Sequence, residues 1–123
     1  MLRIGLALAA LLLAASAFAH HPGSHATRQA EGRVMVEAVA MAIDACTRVA
    51  SVRSGAPPRM APVPGSAPVT VQLERAGTGP CAAAVTAVRA EAALDLPRDA
   101  RQILLYILAP DGSVVATERV PVR

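Results

Sequence analysis

Three histidines, two cysteines and nine carboxylates are the residues of this chain best suited to chemistry, and their spacing keeps them apart. His20, His21 and His25 fall within six residues near the start, so the sequence beyond them contains no histidine to act as a general base. Cys46 and Cys81 stand alone, without the Cys-x-x-Cys spacing of a redox pair or the neighbouring histidines of a zinc site. A carboxylate pair is conceivable among Glu74, Glu91, Asp95, Asp99, Asp111 and Glu118, but most of them alternate outward on expected strands or sit in turns, where carboxylates are ordinarily solvated. There is no glycine-rich phosphate loop. The sequence therefore reads as that of a protein that is not an enzyme.

The histidines gain meaning from what precedes them. Met1 to Ala19 has the form of a cleaved secretory signal peptide: Arg3, an apolar run from Ile4 to Ala15, and small-x-small cleavage sites at Ala15-Ser16-Ala17 and Ala17-Phe18-Ala19. Removing it leaves about 100 residues, room for one domain and no membrane span. Cleavage after Ala19 gives a terminal His20 whose amine and imidazole can chelate a metal, with His21 and His25 adding nitrogens. Cleavage after Ala17 gives Phe18-Ala19-His20, and a third-position histidine offers four planar nitrogens suited to Cu(II) or Ni(II). The first arrangement resembles amino-terminal histidine copper chelates, and the second resembles the amino-terminal copper and nickel motif. The sequence does not choose between the two cuts.

An exported chain meets an oxidising compartment, so Cys46 and Cys81 read as a disulfide. Closing a loop of about 35 residues restricts the unfolded chain by roughly 4 kcal/mol in the entropy account. The expected location is periplasmic or secreted. Without Arg3, eleven arginines face nine carboxylates and there is no lysine, a balance too weak and scattered to imply nucleic acid. Tyr106 is the only aromatic residue after the signal, which leaves no stacking surface for bases or sugars.

The elements that must position these residues read as strands. Residues 20–32 have no apolar period and read as a flexible His-containing arm, followed by one domain over 33–123. Arg33 to Cys46 fits a helical stripe or an alternation; apolar residues on both faces favour a strand buried in a sandwich. Thr47 to Arg53 is a second short strand. Residues 54–68, with Pro57, Pro58, Pro62, Pro64 and Pro68, read as a proline-rich surface loop. Val69 to Arg75 alternates with Val69, Val71 and Leu73 inward and Thr70, Gln72 and Glu74 outward. Residues 82–96 show a period of two from Val88 to Leu96 despite their alanines. Gln102 to Ala109 and Ser113 to Val122 flank Pro110-Asp111-Gly112, the clearest turn in the chain.

Six or seven short strands in this length predict a mainly β fold, a small two-layer sandwich. Strand count, length and a single disulfide resemble immunoglobulin-like or fibronectin-like export domains, although the hallmark tryptophan is absent. The alternative is an α+β fold with one or two helices, over 28–50 or 82–94, on an antiparallel sheet.

On this reading the protein is a non-catalytic binding or accessory domain in an extracytoplasmic assembly, with an unidentified protein partner and no cofactor. Partners would dock at sheet edges or at the loop residues Pro57, Pro58, Arg59, Met60, Pro62 and Pro64. The alternative function is periplasmic copper binding or delivery through His20, His21 and His25.

Overall fold

The structure, a computed structural model, describes residues 23–123, and the expected signal, His20 and His21 lie outside them. Seven strands and no helix make up the described chain: β1 (His25–Arg28), β2 (Val34–Asp44), β3 (Thr47–Ser54), β4 (Ser66–Arg75), β5 (Ala83–Leu94), β6 (Gln102–Leu108) and β7 (Val114–Pro121). They form a sandwich of two sheets, ordered β1-β2-β5 and β3-β4-β6-β7. The mainly β architecture is the expected one, and the helical alternative for residues 28–50 and 82–94 does not occur. Its connectivity has one distinctive feature: β4 and β6 run parallel, with every other pair of strands antiparallel.

Period-two patterning overrides the helical preference of alanine in β2 and β5. Val34, Val36, Ala38, Ala40 and Ala42 are buried on one face of β2, opposite Leu94, Ala92, Ala90, Val88 and Thr86 of β5. The facing sheet supplies the bulk: Val69, Val71 and Leu73 of β4, Ile103, Leu105 and Ile107 of β6, and Val120 of β7. Small side chains on one layer meet branched ones on the other, which lets two pleated sheets interdigitate.

Both open sides of the sandwich are tied. Cys46, between β2 and β3, is bonded to Cys81, between β4 and β5, so the disulfide joins the turns through which the chain crosses between sheets. On the other side β1 pairs with β2, while the Arg28 amide donates to the Arg123 carbonyl at 2.7 Å and the Arg123 amide to Ala26 at 3.0 Å. Ser24 extends this seam. Its hydroxyl accepts from the Val39 amide at 3.0 Å and donates to the Glu118 carboxylate at 3.1 Å, bridging β2 to β7.

Three local expectations need correction. Residues 25–28, read as part of a flexible arm, form β1, because the edge of β2 and the C-terminal residues offer hydrogen-bond partners on both sides. The proline-rich loop ends before β4 starts at Ser66, so Pro68 lies within a strand. Its carbonyl accepts from Gly55 at 2.9 Å, so its nitrogen points to the same side, beyond the last β3 pair at Ser54, where no ladder donor is required. Thr70, assigned outward, is fully buried: its hydroxyl donates to the Gly55 carbonyl at 2.7 Å as the loop leaves over that face.

Candidate functional site

The two ends of the sandwich differ chemically. We call the end carrying the β2–β3, β4–β5 and β6–β7 turns the top; the β1–β2, β3–β4 and β5–β6 connections and the C-terminal residues form the bottom. The top is apolar. On the outer face of the β1-β2-β5 sheet, Met41 is 59% exposed, Ile43 80% and Val85 74%, and Val115 at the start of β7 is 58% exposed. Register puts Ala87 opposite Met41 and continues the apolar surface onto β5. Met41, Ile43, Leu73, Ala109, Pro110 and Val115 line a groove of about 280 Å³, rimmed by Asp44, Thr47 and Arg75. Singly exposed apolar residues are ordinary; a contiguous cluster around a groove marks a contact surface.

Among the described residues, a strand edge with no pairing strand borders this groove. β1 reaches only His25, opposite Glu37, and Ser24 caps the Val39 amide with its hydroxyl. Val39 therefore turns its amide away from β5, and the period of two turns the amide and carbonyl of Met41 to the same side. Among the described residues no strand pairs with β2 there. A hydrophobic, unpaired edge is the geometry that accepts an added strand.

The rim is held rigidly. Asp44 accepts from the Cys46 amide at 2.9 Å and from the Thr47 hydroxyl at 2.8 Å, bonds that hold its pKa below the ordinary aspartate value, the hydroxyl first and the amide second. Arg75 donates to the Gly79 carbonyl and approaches the Cys81 sulfur at 3.3 Å, fixing the turn that presents the disulfide. The β6–β7 turn forms as its sequence suggests: Gly112 has φ +88°, and Asp111 accepts from the amide and hydroxyl of Ser113. The Ser113 hydroxyl, then its amide, lowers the Asp111 pKa.

The residues singled out from sequence fall elsewhere. Of the metal candidates only His25 is described; it is exposed on β1, and among the described residues no group of three histidines, cysteines or carboxylates converges. Pro57 is buried, while Pro58, Arg59, Met60, Pro62 and Pro64 are exposed at the bottom, away from the apolar groove. The exposure of Met41 and Ile43 is not legible in the sequence, because apolar character on both faces of β2 reads as burial on both. Among the described residues, no third layer lies above that face.

Compared with protein-family models, curated proteins and solved structures, the chain matches none of them.

Proposed function

We propose that this protein is a non-catalytic, exported binding or accessory domain that docks an extended apolar segment of a protein partner on its top. The observation that carries the proposal is the exposed cluster of Met41, Ile43, Val85 and Val115 beside the Met41 edge, which no strand among the described residues pairs. Backbone pairing along β2 would give such a partner its orientation, and the groove would take alternate side chains. The disulfide tying the turns around this end fits an oxidising, extracytoplasmic setting, periplasmic or secreted.

The test places a photoreactive side chain at Ile43 or Val115, and for comparison at Glu91 or Arg59, in protein exported by its native cells. A discrete adduct from the two top positions, lost when Met41→Asp is added, is expected. Adducts spread evenly over all four positions, or none from Ile43 and Val115, would overturn the proposal.

A further inference from the structure

The bottom end holds charge rather than apolar surface. Arg28, Arg33, Arg59, Arg98, Arg101 and Arg123 gather there against Glu31, Asp95 and Asp99. Elsewhere Arg48 is answered by Glu74 at 2.6 Å and Arg89 by Glu37 at 3.4 Å, while among the described residues Arg53, Arg75 and Arg119 stand singly. Arg33 also has a partner, Asp95 at 3.4 Å. Among the described residues Arg28, Arg98 and Arg101 have no carboxylate within ion-pair distance, yet all three line one groove of about 580 Å³ with Asp99, Ala100 and Val122. Arg28 and Arg98 also line an adjoining groove of about 390 Å³ that runs along the β1–β2 turn.

We propose that this groove is an oxyanion site for a phosphoryl-bearing ligand. Three guanidinium groups against one carboxylate, Asp99, leave an excess of two positive charges, which a dianion balances and a single carboxylate does not. Guanidinium forks bind tetrahedral oxyanions in bidentate fashion, and all the side-chain cations of this lysine-free chain other than histidine are of that kind. The supporting backbone is fixed. The Arg28 side chain donates to the Ala100 carbonyl at 3.0 Å, the Val122 amide donates to the Arg101 carbonyl at 2.9 Å, and the Ala100 amide closes a turn onto Pro97 at 3.1 Å. The backbone that carries Arg28, on a strand, and Arg98 and Arg101, on a pinned loop, is thus fixed before any ligand arrives, which lowers the ordering cost of binding.

The site lies at the opposite end from the apolar groove, so it stands or falls independently of the docking proposal. The phosphoryl group belongs either to a soluble phosphate ester or to a phosphorylated lipid headgroup, and the two sources are separable. In a two-dimensional amide NMR titration with pyrophosphate, saturable shifts are expected at residues 28 and 98–101, weakening as salt rises. The double variant Arg98→Ser with Arg101→Ser should weaken binding about tenfold or more, whereas Arg48→Ser should leave it unchanged. Unchanged amide spectra elsewhere and an unchanged Tm would show that the double variant is folded. A second arm uses phosphatidylcholine vesicles with and without phosphatidic acid: cosedimentation that needs both the acidic lipid and Arg98 with Arg101 assigns the headgroup, and its absence beside pyrophosphate binding assigns a soluble ester. No saturable shift with pyrophosphate, or the same affinity in the double variant, would overturn the site.

Discussion

Ile43 and Leu105 show how differently two aliphatic side chains of one sandwich are used. Leu105 is fully buried between the sheets and Ile43 is 80% exposed. Leu105→Ala should cost about 2–5 kcal/mol in denaturant unfolding, the usual cost of emptying a core position. Ile43→Asp should stay within about 0.5 kcal/mol of the parent, as surface changes do; a large loss there would mean that Ile43 supports the fold rather than a partner. Asp44 makes a second prediction at this scale. Its pKa is depressed in the folded protein by the Thr47 hydroxyl and the Cys46 amide, so the stability it contributes is present above the ordinary aspartate value and is lost as pH falls through the lower folded value. Thermal melts of Asp44→Ala and the parent should therefore converge under strongly acid conditions and separate near neutrality. Equal melting temperatures near neutrality would refute this role.

Among the elements, the disulfide and the Ser24 seam secure opposite sides of the sandwich. Replacing Cys46 and Cys81 together with serine should lower unfolding stability by about 2–4 kcal/mol, because the bridge constrains a long unfolded loop. Ser24→Ala leaves the Val39 amide without its partner and removes a donor from Glu118, and should cost about 1–2 kcal/mol. Chemical denaturation measures both. These elements were unequally legible. Val69 to Arg75 and the Pro110-Asp111-Gly112 turn could be read directly, since alternation and a glycine at positive φ are local signals. The strand β1 could not be: four residues with one buried side chain, Ala26, carry no period, and only partners distant in sequence make them a strand. Thr70 was misassigned for a related reason, because alternation gives the face of a residue and cannot foresee that the Gly55 carbonyl and its loop will lie over it.

The whole molecule has an apolar end and a basic end, and the sequence alone hides this polarity. Its arginines are scattered along the chain, yet the fold brings Arg28, Arg98 and Arg101 to one groove and Met41, Ile43 and Val115 to another. A net charge of +3 over the full chain conceals the separation. Two surfaces on a disulfide-tied scaffold, helix-free among the described residues, suit the proposed role of holding things together, with the top proposed for an extended protein segment and the bottom for a phosphorylated group. The central claim is that the β2 edge at Met41 is open until a partner pairs with it. Amide hydrogen exchange, measured on the isolated protein and on its complex with the partner captured through Ile43, tests this most directly. Fast exchange is expected at Met41 beside protected Ala40 in the isolated protein, and slow exchange at both in the complex. Protection of Met41 in the isolated protein, or no change on complex formation, would contradict it.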